Sequence, residues 1–101
     1  MKIAITGADG FLGQAVTKQL EEKKIAYTSL NRKKHNLLNP KTLKSLLSDK
    51  DVIIHLAAIN RGENLDLFKT NVLGTLSLLD AISKYCPNAR IIFASTFQVY
   101  L

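Results

Sequence analysis

The sequence predicts an α/β domain with a doubly wound parallel sheet. Short apolar segments alternate with amphipathic helical segments along the chain, and this alternation is typical of parallel strands joined by helices that cover both faces of a sheet. The segment Val52–Leu56 is apolar apart from one histidine, as expected for a strand buried on both faces. At 101 residues the chain has room for one such domain, and with 47% apolar residues it can form a core.

The first part of the chain contains three predicted strands. They are Ile3–Thr6, Ile25–Leu30 and a short third strand near His35–Leu38. Between the first two strands, Leu12, Val16 and Leu20 recur at every fourth residue, with Ala15 beside them. This spacing predicts an amphipathic helix that packs on the sheet.

The second part of the chain continues the alternation. Asn39 is the predicted N-cap of a helix with Pro40 at its first position. A long helix is predicted over Asn64–Tyr85 and a fifth strand over Ile91–Ala94. The predicted buried faces are Leu43, Leu46 and Leu47 on the shorter helix, and Leu65, Phe68, Val72, Leu76, Leu79 and Ile82 on the longer one. Right-handed crossovers then give the strand order 3-2-1-4-5, with a ligand site at the carboxyl ends of strands one, two and four.

A glycine-rich loop follows the first predicted strand. Gly7, Gly10 and Gly13 are spaced three residues apart, between a strand and a helix. In a Rossmann-type unit the first glycine permits a tight turn, the second lets the backbone approach a pyrophosphate, and the third lets the helix pack closely on the strand. The helix N-terminus then presents free N–H groups to the anion. Because the expected elements flank the loop on both sides, we favour dinucleotide binding over a helix start with incidental glycines.

The bulk properties argue against several classes of protein. No apolar run approaches the ~18 residues of a membrane span, and Gly and Asp interrupt the N-terminal apolar stretch too early for a signal peptide. The net charge of +6 lies on scattered residues without interleaved aromatics, which favours a basic surface that attracts anionic ligands over nucleic-acid binding. The single cysteine, Cys86, cannot form an internal disulfide. We therefore expect a cytoplasmic protein with a structural cysteine.

Five short motifs in the correct order resemble the extended short-chain dehydrogenase/reductase family of nucleotide-sugar epimerases, dehydratases and reductases. They are Thr6-Gly7-Ala8-Asp9-Gly10-Phe11-Leu12-Gly13, Asn36-Leu37, His55-Leu56-Ala57-Ala58, Asn71-Val72-Leu73-Gly74-Thr75 and Ser95-Thr96-Phe97-Gln98-Val99-Tyr100. Each motif alone is weak, whereas five in register across the whole chain are strong. The resemblance implies that residues 1–101 are an NAD(P)-binding Rossmann domain, and that the complete enzyme transfers a hydride between the nicotinamide and a sugar carbon.

The resemblance also implies a set of cofactor-binding residues. They are Gly7, Asp9, Gly10, Phe11, Leu12 and Gly13 in the phosphate loop, Asn31, Arg32, Asn36 and Leu37 around the adenosine, Leu56, Ala57 and Ala58 beside the ribose and nicotinamide, and Asn71 in the long helix. We expect the Asn71 amide to make a structural hydrogen bond. His55 is expected to be an imidazole packed at a strand end rather than a proton-transfer group.

The choice of cofactor is read where the second strand ends. NAD-preferring enzymes usually carry Asp or Glu there, and this chain has Asn31-Arg32-Lys33-Lys34 instead. The Arg32 guanidinium could form a bidentate contact with a 2′-phosphate, assisted by Lys33. The sequence therefore favours NADP over NAD, although a solvated turn would leave the preference open.

Thr96 aligns with the catalytic Ser or Thr of the family. Its hydroxyl could donate to or accept from a substrate hydroxyl or carbonyl beside the nicotinamide. The alternative is a threonine favoured at a strand end by its β propensity.

The family's Tyr-x-x-x-Lys pair is absent from this sequence. The residues four positions after Tyr27 and Tyr85 are Asn31 and Ala89, and only one residue follows Tyr100. We therefore expect the chain to lack the substrate lobe, to be truncated after its fifth strand and not to catalyse by itself.

Two functional hypotheses follow. The first is the dinucleotide-binding portion of a nucleotide-sugar enzyme, and the second is a non-catalytic dinucleotide-binding sensor or scaffold. The hydroxyl of Thr96 favours the first, whereas the absent Tyr and Lys favour the second. Because the last predicted strand would keep an exposed edge, we also expect a homo-oligomer.

Overall fold

The computed structural model describes residues 1–31, 35–57 and 65–95, and for residues 11, 57, 65–71, 94 and 95 it describes the backbone. Within these residues, four parallel strands form one sheet in the order β2-β1-β3-β4. The strands are β1 (Ile3–Thr6), β2 (Tyr27–Ser29), β3 (Val52–Ala57) and β4 (Arg90–Ser95). The helices are α1 (Phe11–Glu22), α2 (Lys44–Leu47) and α3 (Leu65–Tyr85), and a 3₁₀ turn at Pro40–Leu43 precedes α2.

The two faces of the sheet carry separate apolar clusters. Ile3 and Ile5 of β1 pack with Leu56 of β3, and Val16 and Leu20 of α1 cover this cluster. The opposite face forms the larger cluster, which contains Ala4, Leu43, Leu46, Leu47, Ile53, Leu78, Ala81, Ile82 and Cys86. Successive strand residues point to opposite faces, so β1 contributes to both clusters. The doubly wound parallel sheet predicted from the sequence is thus confirmed.

The predicted short strand near His35–Leu38 is wrong. Residues 35–38 form no strand, because their backbone donors are used locally. The Asn36 N–H donates to Thr42 Oγ1 at 2.7 Å, and the Leu38 N–H donates to Asn36 Oδ1 at 2.9 Å. These bonds close a turn in place of a ladder with β2. The four other predicted strands lie in the predicted relative order.

The cap predicted at Asn39 is present. Asn39 Oδ1 accepts from the Lys41 N–H at 3.2 Å, and Pro40 occupies the first position of the 3₁₀ turn. Leu43, Leu46 and Leu47 are fully buried, as predicted. The segment begins as a 3₁₀ turn and ends as one turn of α-helix, rather than forming a single α-helix.

The buried face predicted for the long helix is mostly wrong. Val72, Leu76 and Leu79 are 40%, 58% and 43% exposed, and of the predicted face only Ile82 is buried among the residues whose side chains are described. The observed inner face instead contains Gly74, Leu78 and Ala81 as well as Ile82. Both sets have helical spacing. The face with the small residues packs inward because it lets α3 approach α2 and the sheet closely.

Candidate dinucleotide site

The glycine loop and Asn31, both predicted to bind the cofactor, lie at the same edge of the sheet. β1, β2 and β3 are parallel, and the pairings Ile5 with Ser29 and Thr6 with His55 bring the strand ends level. The glycine loop follows β1, and Asn31 lies two residues after the end of β2. Ligands of doubly wound sheets bind at this carboxyl edge, where the strand order reverses direction.

Two of the three loop glycines are required by the protein's own packing. Gly7 has φ +77°, and a Cβ there would lie 2.1 Å from the carbonyl oxygen of Leu56. A Cβ on Gly13 would lie 2.0 Å from the carbonyl oxygen of Gly7. Both distances are far below any real Cβ contact. These glycines therefore hold α1 and the loop tightly against β1 and β3.

Gly10 differs from the other two glycines. It is the exposed N-cap residue of α1, with φ −73° and ψ 172°, which any residue can adopt. A Cβ there would meet the Gly7 carbonyl oxygen at 3.4 Å, an ordinary contact. Its N–H donates to that same oxygen at 3.1 Å. Nothing described in the protein requires a glycine here, which is the pattern expected where a ligand must approach the backbone.

The N-terminus of α1 is suited to an anion. The first N–H groups of a helix have no partners within the helix, and they form the positive end of its dipole. The α1 N-cap makes no side-chain hydrogen bond, and the first turn contains no acidic residue. Asp9 precedes this turn and is exposed, with its carbonyl oxygen accepting from Gln14 Nε2 at 3.1 Å. Leu12, in the first turn, is 38% exposed.

Asn31, just after β2, is held by His35, whose role the sequence did not reveal. Its Nδ1 accepts from the Asn31 N–H at 2.9 Å, and its Nε2 lies 3.1 Å from Ser45 Oγ of α2. Asn31 and Asn36 are exposed. Leu37 is half-buried against the larger cluster and lies beside Gly74 of α3. The side-chain oxygen of Asn36 serves the local turn, so the adenine contacts predicted for Asn36 and Leu37 stay predictions.

A buried polar chain lies beneath the site. His55 of β3 bonds through Nδ1 to Thr6 Oγ1 of β1, and its Nε2 lies 2.9 Å from Thr75 Oγ1 of α3. Burial lowers the pKa of His55, so the imidazole is neutral at neutral pH. Its ring also lies 5.4 Å from that of Phe93. This geometry supports the interpretation of His55 as a packed imidazole that joins two strands and a helix.

The remaining predicted residues give less information. Leu56 is buried in the smaller cluster beneath α1, while Ala57 ends β3 and Asn71 belongs to α3. Arg32, Ala58 and Thr96 lie outside the described residues, as do the side chains of Phe11, Ala57 and Asn71. The roles predicted for them therefore stay predictions.

The described part of the chain gives little support to a thiol, metal or membrane function. Cys86 is buried in the larger cluster, and this burial raises the pKa of its thiol, which fits a structural residue. Among residues 1–31, 35–57 and 65–95, no three His, Cys, Asp or Glu side chains are grouped to hold a metal ion. No helix within the same ranges is long and apolar enough to cross a membrane.

Comparison with known families identifies the chain. Residues 3–100 match the model of the NAD dependent epimerase/dehydratase family. The chain belongs to this family. The match covers the glycine loop, all four strands and the three helices, so the predicted family resemblance is confirmed.

Similar proteins include both curated enzymes and solved structures. The D-erythronate dehydrogenase of Haemophilus influenzae is 33% identical, over 99% of this chain and 39% of that protein. The structure of UDP-N-acetylglucosamine 4-epimerase from Bacillus cereus is 30% identical with a TM-score of 0.80, over 100% of this chain and 37% of that one. A short-chain dehydrogenase/reductase superfamily protein from Agrobacterium tumefaciens, solved with bound NAD, is 26% identical with a TM-score of 0.73, over 94% and 32%. The chain thus spans about two fifths or less of the length of these proteins.

Proposed function

We propose that this chain is the dinucleotide-binding portion of an NAD(P)-dependent enzyme that epimerises, dehydrates, oxidises or reduces a sugar, with a nucleotide-sugar as the expected substrate. The observation that carries the proposal is Gly10. Its backbone and its packing within the described residues accept a side chain, yet it stands at the uncapped N-terminus of α1. A glycine at this position is explained by a pyrophosphate that must come close to the main chain.

The residues present fit such a ligand. The first turn of α1 offers N–H groups without a competing carboxylate, and the net charge of +6 favours anionic ligands generally. The bound dinucleotide would supply or accept a hydride at its nicotinamide. In the complete protein, Thr96 would hold a sugar hydroxyl or carbonyl by hydrogen bonding, since it directly follows the carboxyl end of β4 in the sequence.

The relatives favour an enzyme over a sensor. The Haemophilus relative is named a dehydrogenase and the Bacillus relative an epimerase. Both act on sugars or sugar acids by name, and one of the two acts on a nucleotide-sugar. Catalysis by this chain would need groups beyond residues 1–101, because the Tyr-x-x-x-Lys pair is absent here. The proposal for the chain itself is therefore cofactor binding.

The preferred cofactor is proposed to be NADP. No carboxylate follows β2 to repel a 2′-phosphate, and Arg32 and Lys33 stand next in the sequence after Asn31. A guanidinium can pair with a phosphate through two parallel hydrogen bonds. The Agrobacterium structure holds NAD, so the choice between NAD and NADP for this chain has to be measured.

The test replaces Gly10 with valine. The extended φ and ψ at this position suit a β-branched residue, so the variant should fold, while its side chain should block the pyrophosphate. Isothermal titration with NADH and NADPH should show binding to the parent chain and at least about tenfold weaker binding to Gly10→Val, equivalent to about 1.4 kcal/mol.

The matched control is Gln19→Val, which places the same side chain on an exposed residue of α1 remote from the loop. It should bind like the parent. Unchanged binding by a folded Gly10→Val, or no binding by the parent, would contradict the proposal.

A further inference from the structure

His35 is nearly buried although it lies in a loop. It is 9% exposed, and both of its ring nitrogens have partners. Nδ1 accepts from the Asn31 N–H, and a backbone N–H can only donate. Nδ1 is therefore unprotonated, and the neutral ring carries its proton on Nε2, from which it donates to Ser45 Oγ. The surroundings of His35 thus select one tautomer.

His35 hydrogen-bonds to both the N–H and the carbonyl oxygen of Asn31. The His35 N–H donates to the Asn31 carbonyl oxygen at 2.7 Å, while the His35 ring accepts from the Asn31 N–H at 2.9 Å. One residue earlier, the Leu30 N–H donates to the Ile5 carbonyl oxygen at 2.8 Å and extends the pairing of β2 with β1. Asn31 is therefore fixed from the sheet on one side and from His35 on the other.

His35 also ties this loop to the core. Ser45, its second partner, belongs to α2. The next two residues of α2, Leu46 and Leu47, are fully buried. The Ser45 contact therefore connects His35 to a helix that is packed in the core.

We propose that His35 is a positioning residue for cofactor discrimination, which acts by holding the Asn31 backbone beyond the end of β2, so that the position of Asn31 distinguishes the adenosine 2′-hydroxyl from a 2′-phosphate. This inference rests on the proposed dinucleotide binding. His35 does not touch the cofactor. It fixes the residue at the carboxyl end of β2, where the adenosine ribose of a dinucleotide lies in this fold.

Two substitutions separate the two hydrogen bonds of the ring. In His35→Asn, the side-chain oxygen can occupy the place of Nδ1 and accept from the Asn31 N–H, while the bond to Ser45 is lost. In His35→Gln, the longer amide can reach Ser45 but leaves the Asn31 N–H without its acceptor. The variant Ser45→Ala removes the Ser45 bond and keeps the ring in place.

The readout is the ratio of dissociation constants for NADH and NADPH, measured by titration beside the thermal midpoint of each variant. His35→Asn and Ser45→Ala should keep the parent's ratio. His35→Gln should move the ratio toward one by about 2- to 10-fold, the range that one net hydrogen bond spans. A purely structural role would lower the thermal midpoint and both affinities together and leave the ratio unchanged.

The outcomes distinguish the two proposals. A parent that binds neither dinucleotide overturns the proposed function, and this inference with it. A His35→Gln variant with the parent's ratio overturns the inference alone. A parent that binds both equally overturns the inference and the proposed preference for NADP, but leaves dinucleotide binding standing. If His35→Gln does not fold, ¹⁵N NMR of the parent decides, because the inference requires the Nε2–H tautomer of His35 with and without NADPH. A proton on Nδ1 in the complex would overturn it.

Discussion

Replacing Gly13 with alanine should change the stability of the chain in two opposing ways, through helix propensity and through packing. In the interior of an exposed helix, alanine in place of glycine stabilises by about 0.5–1 kcal/mol. At Gly13, however, the new Cβ would lie 2.0 Å from the Gly7 carbonyl oxygen and 2.7 Å from two backbone atoms of Ala8. These are main-chain atoms, which cannot rotate away as a side chain can.

The expected loss of stability follows from the distance that α1 and the loop must move. An ordinary Cβ contact begins at 3.4 Å, so α1 and the loop must separate by about 1.4 Å. That movement pulls Val16 and Leu20 away from the cluster of Ile3, Ile5 and Leu56. Overpacking costs about 1–3 kcal/mol, and rigid backbone places this site at the upper end. After the propensity gain is subtracted, we expect Gly13→Ala to lower the free energy of unfolding by about 2 kcal/mol.

The assay is urea unfolding followed by circular dichroism, with Gly74→Ala as the matched control. Gly74 also lies inside a helix and is also buried, but among the described residues its Cβ would meet just Leu37 side-chain atoms, at 3.5 and 3.6 Å. Gly74→Ala should therefore stabilise by about 0.5–1 kcal/mol, so the same substitution has opposite signs in two helices. A Gly13→Ala chain as stable as the parent would refute the reasoning.

Three further predictions concern pH, cofactor choice and association. Burial lowers the pKa of His55, so the unfolded chain binds more protons than the folded chain just below pH 6.5, the ordinary value being about 6.5. The free energy of unfolding should therefore fall by up to about 1.4 kcal/mol per pH unit as the pH drops below that value. Urea unfolding from about pH 8 to 5 should show a smaller pH dependence in His55→Gln, and an equal pH dependence would exclude His55 as its source. NADPH should bind more tightly than NADH, and Arg32→Ala should reduce the ratio of their dissociation constants about tenfold, since a charge-assisted contact contributes about 1.5–3 kcal/mol. Equal affinities of the parent chain for the two dinucleotides in titration calorimetry would remove the basis for the Arg32 assignment. The chain should self-associate at micromolar concentration, because Ile92 and Phe93 of β4 are 48% and 52% exposed and Leu76 of α3 is 58% exposed. Light scattering that shows a monomer with protected β4 amides would contradict this.

Local physical chemistry made much of the fold predictable from the sequence. The spacing of Gly7, Gly10 and Gly13 between a strand and a helix predicted a phosphate loop, because the turn, the close approach and the helix packing all depend on residues near one another in the chain. The Asn39-Pro40 pair marked a helix start for the same reason, since cap and first turn are neighbours in the chain. The strand order followed from the handedness of crossover connections, which is nearly invariant.

Only the tertiary structure decided which of two apolar faces α3 buries. Leu76 and Leu78 both belong to stripes with helical spacing, and periodicity cannot rank two stripes on one helix. Which face is buried depends on the residues it contacts, and here Ala81 packs in the larger cluster while Gly74 lies against Leu37.

The partners of the two histidines were likewise decided by the tertiary structure. His55 bonds to Thr6, which is 49 positions away, and to Thr75, which is 20 positions away. His35 stands in a segment whose sequence suggested a short strand, but its ring bonds to the Asn31 backbone and to Ser45 instead. The sequence by itself determined the fold and the position of the candidate dinucleotide site. The buried hydrogen bonds that hold this site in shape join residues distant in the chain, and such pairings exist only after the sheet and helices have packed.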